Sequence, residues 1–252
     1  MNVLVAGLGN VGSKYELTRH NIGFIILDAL ASKLGTSFSL DKKANALVAS
    51  HKLLESNSSQ TYNLILVKPQ TFMNLSGTAI APLYNYYKCE RLVVIHDELD
   101  LPFGSLNYKE TSSTAGHNGL KSINQHLSLP YSKLRFGIGF NILLYPELLT
   151  KLISSNIDAY KITQDYIDSY KEKLSNNTKG IMSGSEFKNI ALAALKSANK
   201  TNHEEVSNYV LNNFSKTELL LLKDMLPFIL QALFSLITSP SSTQNKYGIN
   251  LK

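Results

Sequence analysis

The stretch "NVLVAGLGNVG", residues 2–12, decides the fold. Asn2 to Ala6 form the short apolar run expected of a strand buried on both faces. Gly7, Gly9 and Gly12 then make the pattern G-x-G-x-x-G. Strand followed by glycine turn is the opening of many α/β folds, and on its own it suggests a dinucleotide site. Two requirements of such a site fail. The helix should start inside the glycine motif, so that its N–H groups meet a pyrophosphate. Here the helical spacing of Ile22, Ile25, Ile26, Ala29, Leu30 and Leu34 starts only near Asn21. An acid should also close the next strand about twenty residues on. Positions 30–32 are Leu, Ala and Ser, and Asp28 lies within the helical pattern. The glycines are therefore expected to make a tight turn and permit close backbone approach around Asn10, with no dinucleotide cofactor.

Outward from that turn, helical periodicity covers 21–34, and Gly35 suits its end. "NALVAS" and "YNLILVKP" read as strands. Asn74 is placed to cap a helix over "LSGTAIAPLYNYYK". "RLVVIHDE", 91–98, is a buried strand, and "GSLNYKE" is expected to be its antiparallel hairpin neighbour. A helix follows over about 118–127, then the strand "KLRFGIG", 133–139. Alternating strands and helices predict a single α/β domain, with a mixed, mostly parallel sheet and helices on both faces. The Lys-, Asn-, Ser- and Tyr-rich segment 141–203 reads as a helical insertion. Residues 204–213 and 216–237 read as closing helices, and 239–252 as a flexible tail.

The 252 residues suit one sizeable core, and 44% hydrophobic with 17% charged residues is a globular balance. The net charge of +6 fits an anionic partner such as RNA, though many ordinary enzymes are as basic. Cys89, the one cysteine, cannot form an internal disulfide, and the N-terminus lacks the features of a leader. Cytoplasm is the expectation, with a mitochondrial site open. "LLLLKDMLPFILQALFSLI", 219–237, is interrupted by Lys223, Asp224 and Pro227. It is read as a buried or docking helix rather than a continuous membrane span.

Four stretches bring polar groups to places where an open α/β sheet collects ligands, at the carboxyl ends of strands. The glycine turn supplies Asn10 and leads through Tyr15 and Arg19 to His20. "KPQTFMN" supplies Asn74, "VVIHDELD" supplies Asp97, and "STAGHNG" supplies His117 and Asn118. A histidine can take a proton from water near neutral pH, and a carboxylate on its other nitrogen fixes the tautomer. Asparagines offer donors to an oxyanion and acceptors to an amide. Each residue also has a structural reading: Asn10 shaping its turn, Asn74 capping a helix, Asp97 pairing with a lysine. "HDELD" raises a metal reading, but His96 and Glu98 alternate away from Asp97 on a strand and no second ligand cluster appears. No metal is expected.

"GLGNVGSKYELTRHNIGF", "KPQTFMNLSG", "VVIHDELDLPFG" and "GHNGLKSI" resemble, in order and spacing, the motifs of the bacterial-type peptidyl-tRNA hydrolases. "KLRFGIG" and "VSNYVLNNFSKTE" are similar to the family's later strand and C-terminal helices. The resemblance covers about 1–140 and 204–237. It implies a monomeric carboxylic ester hydrolase that cleaves peptidyl-tRNA between peptide and 3′ ribose, without metal or cofactor. It implies His20 as general base, Asp97 as its orienting group, and Asn10, Asn74 and Asn118 as substrate binders, with His117 counted among them. Tyr15, Phe72 and Met73 match cleft walls, and Lys109 and Arg135 match positions that meet tRNA phosphate. A non-catalytic RNA-binding relative of the same fold is the alternative. The sequence departs from the family pattern in three places. "ETSSTA" replaces a glycine-rich run, as in some fungal members, and should stiffen that loop. Phe140 stands where a histidine is usual, and 141–203 has no counterpart in compact members.

Overall fold

Two apolar faces separate along the first strand, and the rest of the domain is arranged around them. Val3 and Val5 point to one side, Leu4 and Ala6 to the other, all four fully buried. The computed structural model describes residues 1–54, 60–110, 113–139 and 203–240. The strands are β1 (Asn2–Gly7), β2 (Ser39–Asp41), β3 (Ala46–Leu54), β4 (Thr61–Pro69), β5 (Arg91–Pro102), β6 (Leu106–Glu110) and β7 (Ser132–Gly139). They form one sheet in the order β2-β3-β4-β1-β5-β7-β6. The central β4, β1, β5 and β7 are parallel, and β2–β3, β3–β4 and β6–β7 are antiparallel. The expected mixed α/β sheet is therefore present.

Helices cover both faces. On one lie α1 (Ile22–Leu34), α4 (His203–Leu211) and α5 (Lys216–Thr238). On the other lie α2 (Ser76–Tyr86) and α3 (Asn118–His126). Gly35 ends α1 in the left-handed region, at φ 64°. Ser215 and Glu218 form a reciprocal capping box that starts α5. The guanidinium of Arg91 donates to the Leu236 and Ile237 carbonyls at the other end of α5.

Two expectations are corrected. First, β6 does not pair with β5. A short connection joins them, but β7 lies between, parallel to β5 and antiparallel to β6. The long crossover through α3 delivers a parallel strand there, which a local turn signal cannot reveal. Second, Asn74 does not cap α2. It sits in a 3-10 turn, Met73–Leu75, and the cap position is Leu75. As expected over 216–237, α5 is a packed helix, and it runs unbroken through Pro227, which is exposed. This helix is long and apolar enough to cross a membrane by composition. Its buried stripe, including Leu222, Met225, Ile229, Leu233 and Ile237, is occupied by the sheet-facing core. The insertion expected over 141–203, apart from His203, lies outside the described residues, as do Phe140 and 241–252 of the tail.

The glycine turn has a packing purpose. A Cβ on Gly7 would lie 2.3 Å from the Gly23 carbonyl oxygen. One on Gly23 would lie 2.4 Å from Leu8 N and 2.6 Å from Ile95 O. The first turn of α1 thus rests directly on the backbone at the carboxyl ends of β1 and β5. Helix propensity alone would favour Gly23→Ala by about 1 kcal/mol. The overlap with backbone is larger, so the variant should lose about 2–3 kcal/mol in urea denaturation. Gly35→Ala meets nothing within 4 Å and should lose only about 1 kcal/mol, from its left-handed φ. Equal losses in the two variants would contradict the close-approach account.

Candidate active site

The seating of α1 on the sheet brings the 3-10 turn Arg19–Asn21 over the end of β5. That turn is tied on two sides. Asn10 N donates to Asn21 Oδ1 at 2.8 Å, and Asn21 Nδ2 donates back to Asn10 O at 2.9 Å. On the far side, Arg19 N donates to Asn212 O and Phe214 N donates to Leu17 O. The Arg19 guanidinium is buried against Tyr209 and donates to Asn213 O and Glu218 Oε2, at 3.1 and 3.0 Å. A buried arginine that loses its acid is costly, on the order of 3–5 kcal/mol. The C-terminal helix pair is therefore part of the site's support.

Between Arg19 and Asn21, the His20 ring meets Asp97. His20 Nδ1–H donates to Asp97 Oδ1 at 2.8 Å. His117 Nε2–H donates to the same oxygen at 3.0 Å. Asp97 is 4% exposed. Burial alone would keep it protonated, but the charge of His20, then that of His117, and both hydrogen bonds hold its carboxyl well below the usual range. An ionised carboxylate only accepts, so both facing nitrogens carry the proton. His20 Nε2 is then the lone-pair nitrogen, and it has no partner among the described residues. Burial disfavours the His20 imidazolium, but the Asp97 charge and hydrogen bond outweigh it, so the pKa is raised above 6.5.

His117 is more constrained than a substrate-binding group would be. It sits at the cap of α3, and its Nδ1 accepts from Gly119 N at 3.1 Å. With Nε2 on Asp97, both ring nitrogens serve the protein. His96 packs edge-on to the His117 ring, with centroids 4.9 Å apart. Its Nδ1–H donates to the Asp97 backbone carbonyl, and burial pushes its pKa down to about 3, so it is neutral. As expected from strand alternation, His96 and Glu98 lie on the opposite face from the Asp97 side chain.

The donor atoms of His20, Asp97 and His117 lie within 4.8 Å of one another, close enough to hold a cation. The tautomers oppose it. A metal would need lone pairs on His20 Nδ1 and His117 Nε2. Moving the His117 proton to Nδ1 would set it against the Gly119 N–H. The set fits a carboxylate receiving two donors.

The other expected residues surround this centre to different degrees. Asn10 is buried, and its Oδ1 accepts from Met73 N at 2.8 Å, so it also holds the "QTFMN" loop. Met73 is buried, and a Cβ on Gly119 would lie 2.7 Å from its sulfur. Phe72, Asn74 and Asn118 are exposed, and Tyr15 is half-buried beneath Lys14. Lys109 is exposed on β6. Arg135 is less free than the phosphate reading implies, because its Nη1 and Nη2 donate to Glu98 Oε2 and Asn107 Oδ1, at 2.9 and 2.7 Å. Asn21, Arg19, Glu98 and Asn107 were not identifiable as supports from sequence.

A histidine NMR titration checks the electrostatics. His20 should titrate above 6.5 in the native chain and below it in Asp97→Asn, where burial acts without the opposing charge. An unmoved value would mean that Asp97 does not control this ring.

Comparisons with known proteins identify relatives of the chain and of its fold. A family model described as peptidyl-tRNA hydrolase matches residues 4–147. Peptidyl-tRNA hydrolase of Helicobacter hepaticus is 47% identical over 137 residues, which are 54% of this chain and 59% of that protein. That of Campylobacter curvus is 46% identical over 136 residues, 54% of this chain and 69% of its own. That of Helicobacter pylori strain J99 is 43% identical over 148 residues, 59% of this chain and 74% of its own. The crystal structure of peptidyl-tRNA hydrolase from Acinetobacter baumannii superposes with a TM-score of 0.66 at 24% identity. It covers 98% of this chain and 94% of that one, a likeness of fold. With the family's model matched over more than half its length, and the same fold, this chain belongs to the peptidyl-tRNA hydrolase family.

Proposed function

We propose that this chain hydrolyses the ester joining a peptide to the 3′ ribose of tRNA, releasing free tRNA. The observation that carries the reading is the His20–Asp97 pair, with Nδ1–H on the carboxylate and Nε2 turned to the open side. Nε2 takes a proton from a water molecule as that water attacks the ester carbonyl, and Asp97 stabilises the imidazolium that forms. The proton then passes to the departing ribose oxygen. Asn10, Asn74 and Asn118 line the approach and offer amide donors to the carbonyl oxygen and acceptors to the peptide N–H groups. Phe72 and Met73 give the peptide an apolar wall. Lys109, with Arg135 held by Glu98, presents positive charge to tRNA phosphate.

Among the described residues no serine or cysteine is bonded to His20, which favours direct water attack over a covalent intermediate. Cys89, the one cysteine, is free and suits a reducing compartment such as the cytoplasm. An intact base, orienting acid and three asparagines argue against a non-catalytic RNA-binding relative.

His20→Ala tests the reading. Turnover of peptidyl-tRNA should fall by at least about 10²-fold, with the melting temperature and tRNA affinity little changed. Near-native turnover in a folded variant would exclude His20 as the base.

A further inference from the structure

We propose that Lys133 is a positioning residue that couples the phosphate-facing edge of the sheet to the histidine centre, a role that rests on the function proposed above. Lys133 lies on β7 and is 1% exposed, an unusual position for a lysine. Its cross-strand neighbour on β6 is Lys109, and Val94 of β5 is opposite on the other side. Arg135, two residues on, shares its face. Three cations therefore crowd one end of β6 and β7, with Glu98 the nearby acid. Like charges directly opposite one another on a sheet are unfavourable. An apolar residue would fill the position at lower cost.

What Lys133 does is visible in its contacts. Its ammonium passes the Tyr131 ring at 5.3 Å and donates to the backbone carbonyl of Ser113. Ser113 begins the segment that leads to His117 and Asn118. That segment holds Ala115 at φ 45° and Gly116 at φ 84°, both left-handed. A non-glycine residue there carries strain, so the loop needs an external hold. Lys133 provides one at its start, and the His117–Asp97 and Gly119–His117 bonds provide others at its end.

The hold depends on charge. Burial, then the neighbouring charges of Lys109 and Arg135, lower the Lys133 pKa to about 8, while Glu98 opposes the shift. His96, neutral and on the same face, completes its ionisable surroundings. Phosphate placed against Lys109 and Arg135 offsets the crowding and favours the ammonium form. RNA binding would thereby tighten the Ser113 contact and steady His117 and Asn118. The coupling is reciprocal, as any linkage must be.

The test compares turnover of peptidyl-tRNA with that of a peptidyl ester of a short 3′-terminal oligonucleotide lacking the acceptor stem. Both are measured from about pH 6.5 to about pH 9.5, corrected for uncatalysed ester loss. The ammonium form makes the contact, so kcat on the short ester should fall as pH rises through about 8. On peptidyl-tRNA the fall should move to higher pH. Lys133→Arg should keep turnover and remove the fall with both substrates. Lys133→Met should lower kcat about tenfold near neutral pH, with KM little changed and no fall near pH 8. A flat native profile on the short ester, or native kcat in a folded Lys133→Met variant, would overturn the proposal. If Lys133→Met does not fold, the native and Lys133→Arg profiles decide. If the native chain cleaves neither substrate, the proposed function fails separately. The coupling is then read from His117 ring NMR signals on adding an acceptor-stem RNA hairpin. They should shift in the native chain and not in Lys133→Arg at pH 9.5, where arginine is charged with or without RNA. Equal shifts in both would overturn it.

Discussion

A carboxylate removed from water must be neutralised or supplied with donors, and Asp97 is supplied with two imidazoles on one oxygen. That arrangement sets the chemistry of the site. It fixes the tautomer of His20 and turns Nε2 outward. It also occupies His117, whose other nitrogen is taken by the backbone of α3. A single acid thereby links the loop before α1, the end of β5 and the start of α3. These elements come from both faces of the sheet and meet only at its carboxyl edge.

The surrounding fold keeps those three elements in register. Gly7 and Gly23 let α1 settle onto the strand ends, which fixes the height of His20 above β5. The paired amides of Asn10 and Asn21 stop the glycine turn from swinging away. The Arg19–Glu218 pair anchors the same turn to α5. Exposed ion pairs contribute about 1 kcal/mol or less, but this one is buried and multiply hydrogen-bonded. Its net effect on stability is small compared with the cost of breaking it. It therefore acts mainly to keep the loop in one place.

Much of this was legible in the sequence, for identifiable reasons. Buried strands and amphipathic helices write their periodicity locally, so β1, β5, β7, α1 and α3 could be read from residue patterns. The glycine motif matched a nucleotide-binding pattern, yet the late helix start ruled that out, and the packing of Gly7 explains its use. Strand alternation correctly separated Asp97 from His96 and Glu98. Long-range choices were not legible. The strand inserted between β5 and β6 depends on a crossover, whereas the short connection after Pro102 suggests a hairpin. The pairing of Arg135 with Glu98 and of Arg19 with Glu218 joins residues far apart in the chain. His117 reads as a substrate group in sequence because it stands beside Asn118 in the loop "STAGHNG". Only the fold shows both of its nitrogens in use.

The central claim is that Asp97 dictates the protonation pattern of both histidines. Ring-nitrogen NMR at a pH well above the His20 pKa measures this directly, because the protonated and lone-pair nitrogens of a neutral imidazole resonate apart. The account predicts the proton on Nδ1 of His20 and on Nε2 of His117. A His20 ring protonated at Nε2 would contradict it, since that nitrogen could not then accept a proton from water.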